Sequence, residues 1–182
     1  MRPLGFLAVV PIAALAAAVA LTTVPASAAV PVERVVKDAA EGDKAYDVRS
    51  VTLRAAEGTM AKVRVVHGRR VAVGDGVDVW FDTDDDRRPD IYLTGHAFSE
   101  YAAFKARGWN GHGRDISNRG CVALTMIAHR SVIRFDPSCL APSARFSVSV
   151  RSFVEGEPES TVDYVPGRDR LTRKVRSYLP GQ

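Results

Sequence analysis

From Tyr46 onward, apolar side chains in this chain recur at every second position. In Lys62-Val63-Arg64-Val65 and in Phe146-Ser147-Val148-Ser149-Val150-Arg151, apolar groups fall on one face and polar or charged groups on the other. An extended strand alternates its side chains in this way, and a strand with one apolar face must bury it against a second layer. The alternation predicts strands over residues 48–54, 61–66, 77–82, 91–98, 101–106, 121–127, 132–135, 146–153 and, less regularly, 161–164, which makes eight or nine. Turn formers such as Gly74-Asp75-Gly76, Arg88-Pro89, Gly108, Gly111 and Pro137 arrive about every ten residues, the rhythm of a sandwich. The expected fold is all-β, an antiparallel β-sandwich of jelly-roll or immunoglobulin-like type. Its expected core is Val51, Leu53, Val63, Val65, Val77, Val79, Phe81, Tyr92, Leu124, Ile133, Phe135, Phe146, Val148 and Val150.

The two ends depart from this period. Arg2, an apolar run over residues 4–21 and Ala26-Ser27-Ala28 have the order of a secretory signal peptide, so residues 1–28 are expected to leave the mature protein. A membrane anchor is the rival reading, since the run approaches the roughly 20 residues a spanning helix needs; Pro11 and the small residues after Pro25 favour cleavage. Export implies a secreted, extracellular protein with no transmembrane span once the leader is gone. Residues 29–45 carry scattered charge and no sustained period, as a linker or N-terminal arm would, and the sandwich domain is expected over 46–165. In the basic tail, 166–182, Leu171, Val175 and Leu179 recur every four residues among arginines, the pattern of a short amphipathic C-terminal helix.

Cys121 and Cys139 are the two cysteines of the chain. In an exported domain an even count reads as a disulfide, here closing a loop of roughly 18 residues and worth about 3 kcal/mol in the chain-entropy model. Neither belongs to a C-x-x-C pair, so a thiolate metal site is not expected.

Charge narrows the function. The chain has 25 basic and 21 acidic residues, interspersed, whereas nucleic-acid binders concentrate cations and aromatics on one face; nucleic acid is therefore not an expected partner. No G-x-S-x-G, H-E-x-x-H, Walker or G-x-G-x-x-G sequence occurs. His67, His96, His112 and His129 are isolated in sequence, and Asp90 with Glu100 would serve glycoside hydrolysis only if folded to about 5–9.5 Å.

Two loops carry binding chemistry. Asp82, Asp84, Asp86 and Asp90 occupy the first, third, fifth and ninth positions of a calcium-loop register. The sixth position holds Arg87 in place of glycine and the twelfth Leu93 in place of glutamate, while Arg87 and Arg88 offer internal neutralisation. Calcium is thus the one candidate cofactor, competing with a salt-bridged turn. The second loop, Arg107-Gly108-Trp109-Asn110-Gly111-His112-Gly113-Arg114-Asp115, sets Trp109 to stack on a sugar ring with Asn110, His112 and Asp115 as hydrogen-bonding groups; the alternative is a Trp packed back over the core edge.

The leader, the strand running from Val79 to Asp84, Pro89-Asp90-Ile91-Tyr92, the cysteine pair and the closing Asp163-Tyr164-Val165-Pro166 together resemble small secreted actinobacterial proteins of uncharacterised function with a single β-sandwich domain. More distantly, the Asp-Thr-Asp strand is similar to carbohydrate-binding and DOMON-like sandwich modules. The resemblance implies the sandwich architecture alone; the Trp109 loop, together with the Asp82 to Asp90 loop, makes a non-catalytic exported sandwich that binds an extracellular glycan or cell-wall component the leading expectation. A secreted hydrolase using loop carboxylates or a histidine, and a structural envelope protein without a small ligand, are the competing expectations.

Overall fold

The structure, a computed structural model, describes residues 30–140 and 144–179. The leader and its cleavage signature lie outside the described residues. Among the described residues, no helix is long and apolar enough to cross a membrane.

Two antiparallel sheets form the molecule. The first contains β1 (Glu33–Lys37), β2 (Val48–Glu57), β3 (Met60–His67), β8 (Val122–Ile127) and β9 (Arg130–Phe135), in the order β1-β2-β3-β9-β8. The second contains β4 (Asp75–Asp82), β5 (Ile91–His96), β6 (Tyr101–Ala106), β7 (His112–Asp115), β10 (Arg145–Val154) and β11 (Asp163–Val165), in the order β11-β10-β4-β5-β6-β7, with β12 (Val175–Arg176) also pairing with β10. The four strands β4 to β7 run as a meander, because the connections between them are too short for anything but antiparallel neighbours.

The period of two decides what is inside. Val51 and Leu53 of β2, Val63 and Val65 of β3, and Ile133 and Phe135 of β9 are buried against Val77, Val79 and Phe81 of β4, Ile91 and Leu93 of β5, and Phe146, Val148 and Val150 of β10. Phe135 links the layers, its ring edge-on to Phe81 at 5.0 Å and to Phe146 at 4.8 Å. Each such side chain contributes about 1.5–3 kcal/mol relative to exposure. Gly95 of β5 leaves room for the opposing sheet, since a Cβ there would stand 2.3 Å from Leu124 Cδ2.

Tyr92 is not a core residue of the inner face. It pairs with Trp80, one step out of phase with Val79 and Phe81, so its ring lies on the outer face of the second sheet. Its parity places Ile91 and Leu93 inside instead.

The tail is not a helix. Thr172 exchanges backbone and side-chain hydrogen bonds with Val148 (2.8 Å and 3.1 Å), and Val175 and Arg176 pair with Phe146 and Arg145. A spacing of four satisfies a strand as well as a helix, because four is a multiple of two. The open edge of β10 selects the strand, since a helix would leave those backbone groups unpaired. Helical residues among the described ones are confined to single turns at Ser117–Arg119, Pro137–Leu140 and Glu159–Thr161.

The N-terminal arm likewise adds as an edge strand. Glu33–Lys37 pairs with Ser50 to Arg54 of β2, with Glu33, Val35 and Lys37 exposed on one face and Arg34 and Val36 part-buried on the other. No disulfide is found among the described residues. Cys121 is buried with its thiol 3.6 Å from the Arg119 carbonyl, and the side chain of Cys139 lies outside the described residues, as does the expected bridge between them.

Candidate functional site

The outer face of the second sheet carries a row of aromatic rings. Cross-strand pairing places Ser149, Trp80, Tyr92 and Phe104 side by side on β10, β4, β5 and β6. Trp80 and Tyr92 have ring centroids 5.1 Å apart, and His112 stacks on Tyr92 at 4.3 Å and on Phe104 at 5.4 Å. Trp109 closes the row from above, 6.0 Å from Trp80.

The glycine-rich loop makes this arrangement possible. Arg107 N–H donates to the Gly111 carbonyl at 2.9 Å, Gly108 takes a left-handed φ of 81°, and β7 then pairs with β6 across a bulge. A Cβ on Gly113 would stand 2.6 Å from the Lys105 carbonyl oxygen, so glycine permits the close approach of the two strands. Of the four residues expected to bind, Trp109 and His112 therefore join one surface. Asn110 is exposed at the loop tip. Asp115 does not join them: its Oδ1 accepts from Ser117 N–H at 2.7 Å and Oγ–H at 2.6 Å, which holds its carboxyl below the usual range.

Next to the aromatic row lies a charged one. Asp78 is buried and accepts from Arg151 at 2.9 Å; Arg151 also reaches Glu159 at 3.2 Å, and Glu159 accepts the Tyr164 hydroxyl at 2.7 Å. Burial, and then the Asp78 charge, push the Tyr92 hydroxyl up, so it stays a hydrogen-bond donor. Trp80 Nε1, Ser149 Oγ, Asp78 Oδ1 and Arg151 Nε are buried without a hydrogen-bond partner. Each such group costs about 1–3 kcal/mol until water or a ligand hydroxyl satisfies it.

A cleft of about 600 Å³ opens beside Trp109, lined by Asp82, Arg87, Ser147 and the extended tail from Asp169 to Lys174. It brings the acidic loop and the Trp109 loop to one place, which the sequence could not announce. In that loop Asp82, Asp84 and Asp86 offer carboxylate oxygens within 4.8 Å of one another, a separation two ligands of one hard cation can span. Arg87 supplies by its own φ of 68° the left-handed turn expected of glycine. Asp90 does not join: its Oδ2 accepts from Thr83 N–H at 2.9 Å and Oγ1–H at 2.7 Å. Leu93 points into the core and supplies no twelfth-position oxygen. Asp82, Asp84 and Asp86 also accept backbone N–H bonds from Asp85, Asp86 and Arg88, and Lys174 and Arg145 pair with Asp85. Three carboxylates fit calcium, with fewer free oxygens than a full calcium loop.

A second carboxylate cluster was invisible in sequence. Asp38 after β1, Asp47 before β2 and Asp163 of β11 bring oxygens within 4.8 Å across the two sheets. Asp163 Oδ2 accepts Val48 N–H at 2.7 Å, yet burial pushes the carboxyl up to about 6.

The other titratable groups singled out in the sequence stand apart from this site. His67 Nε2 lies 2.9 Å from Ser131 Oγ, but both are buried, and desolvation holds the imidazole down at about 3, neutral and out of reach of substrate. Asp90 and Glu100 sit at opposite ends of the β5–β6 pair, since Ile91 faces Lys105 and Gly95 faces Tyr101. The four steps from Ile91 to Gly95 span about 13 Å of strand, and Asp90 and Glu100 lie outside them, too far apart for a glycosidase pair. His96 packs edge-on against Phe153 at the end away from His112.

No family model matches the chain, and among curated proteins and solved structures none is significantly similar to it.

Proposed function

We propose that this chain is an exported, non-catalytic β-sandwich protein that binds an extracellular glycan or cell-wall component on the outer face of its second sheet. The observation that carries the reading is the row Trp109, Trp80, Tyr92, Phe104 and His112, with buried unsatisfied polar atoms beside it and a cleft at its end. Aromatic faces stack on the apolar faces of sugar rings, while Arg151, Asp78 and Ser149 offer hydroxyls the partners they lack. Calcium at Asp82, Asp84 and Asp86 would hold the acidic loop against the cleft; it orders a wall and performs no chemistry.

Gel electrophoresis through embedded polysaccharides and co-sedimentation with peptidoglycan test this reading. Wild-type protein is retarded or pelleted, and Trp109→Ala weakens the association at least tenfold. If every association survives Trp109→Ala, the structural envelope reading, with no small ligand on this face, replaces it. A hydrolase reading has lost its Asp90–Glu100 pair to the register of β5 and β6.

A further inference from the structure

The outer face of the first sheet is a second, chemically different surface. Outward positions of β1, β2, β3, β9 and β8 fall into cross-strand rows, the first of which reads Glu33, Arg54, Lys62, Arg134 and Ala123. The next reads Val35, Thr52, Arg64, Val132 and Thr125, and Arg130 stands in the third beside Ile127. These rows line a groove of about 560 Å³.

Its charge is one-sided. Five cations line it against the single acid Glu33. Arg54 contacts Glu33 at 3.9 Å and pairs with Glu57, but Lys62, Arg64, Arg130 and Arg134 have no carboxylate within ion-pair distance among the described residues. Arg54, Lys62 and Arg134 face one another directly on three adjacent strands. Like charges in cross-strand register repel, and strands about 4.8 Å apart cannot separate them. A fold serving only itself has no use for such a row.

From this juxtaposition we propose that the groove on the first sheet, built on Lys62, Arg64, Arg130 and Arg134, binds a linear polyanionic glycan. The cations spread over about 13 Å along β9, the span from Arg130 to Arg134, and over neighbouring strands, so one small anion reaches only part of them and a chain of repeated carboxylate, sulfate or phosphate groups reaches all. Thr52 and Thr125 supply hydroxyls for sugar oxygens, and Val35 and Ile127, both about half exposed, supply apolar contact. No Phe, Tyr or Trp lines the groove, so it lacks the stacking platforms of single-stranded nucleic-acid sites. The assignment stands apart from the Trp109 surface, which lies on the other sheet.

The test uses the full chain with heparin and polygalacturonate as probes, and neutral dextran and duplex DNA as controls, in a salt series. Both polyanionic glycans bind, with affinity falling as salt rises, and the double variant Lys62→Gln, Arg134→Gln weakens them at least tenfold. The same variant, free of its internal repulsion, melts at the wild-type temperature or a few degrees above it, which separates loss of binding from loss of fold. Polyanion binding unchanged in this variant, binding lost only in Trp109→Ala, DNA bound as tightly as the glycans, or no polyanion binding at low salt would each overturn the assignment. Trp109→Ala that loses neutral glycans yet keeps heparin supports it while testing the other face separately.

Discussion

Trp109 reaches out of a glycine-rich loop to place its ring 6.0 Å from that of Trp80, a residue on a different strand 29 positions earlier in the chain. Both rings are part-buried, Trp80 on strand β4 and Trp109 on the loop between β6 and β7. One ring is thus held by a strand and the other by a loop, and both keep accessible area, as a binding surface requires and a core does not.

That division predicts a split between stability and binding. Trp109→Ala removes part-exposed area and costs about 1 kcal/mol of stability or less, a shift of about 2–4 °C in Tm for a domain of this size, while glycan association drops at least tenfold. Calorimetric melting alongside the gel assay checks the pair of outcomes. A Tm loss beyond about 10 °C would make the residue a packing element.

Gly113→Ala is expected to be worse for the fold although it adds a single methyl. The new Cβ would stand 2.6 Å from the Lys105 carbonyl oxygen, a backbone atom that cannot rotate away. Moving β7 off β6 should cost about 1–3 kcal/mol and carry His112 away from Tyr92. Hydrogen exchange at β6 and β7 would speed up while the β2–β3 pair stays protected; equal protection everywhere would refute the steric argument.

Acidification should act on the fold in two opposing ways. The Asp163 carboxyl is raised to about 6, mainly by burial, so folding is favoured by its protonation and that contribution fades as pH climbs from its unfolded value near 3.8 through about 6. His67 is depressed to about 3 by burial, so it contributes stability above its unfolded value near 6.5 that is lost as pH falls towards 3. Asp163→Asn, which keeps an oxygen for Val48 N–H, is expected to melt higher than wild type at pH 8 and to lose stability more steeply between pH 6 and 4. Parallel Tm-against-pH curves for the two proteins would contradict it.

Calcium is expected to raise the Tm of the wild-type chain over its value in EDTA, by mass action on the native state. The acidic loop accounts for the shift if Asp84→Asn abolishes it, since Asp84 is exposed and its replacement does not disturb the core. A shift retained in Asp84→Asn but lost in Asp47→Asn would move the ion to the cluster of Asp38, Asp47 and Asp163. No shift in any variant would leave both clusters as metal-free carboxylate groups.

The strands from β2 to β11 were almost all legible, because a period of two is a local property that neighbouring residues display directly. Residues 61–66 and 146–153 fall inside β3 and β10 with their expected inner faces buried. Three short strands, Glu33–Lys37 among them, were not legible, whereas Asp163–Val165 was. His112–Asp115 reads as loop because glycines allow its close pairing, and Val175–Arg176 reads as helix because a spacing of four suits both states. Of the expected site, Trp109 and His112 converge on one surface with Tyr92, whereas Asp90 and Asp115 each turn one carboxylate oxygen to a neighbour, Thr83 and Ser117.

By itself, then, the chain determines that it forms strands, which side of most strands is apolar, and where the loops bearing Asp82 and Trp109 fall. Tertiary structure decides which strands become neighbours, and everything chemical at long range follows from that. The Trp80–Trp109 contact, the Asp38, Asp47 and Asp163 cluster and the Arg54, Lys62 and Arg134 row all depend on registers between residues distant in sequence. Those registers are set by the backbone pairing and side-chain packing of the whole sandwich, which no local window of residues contains.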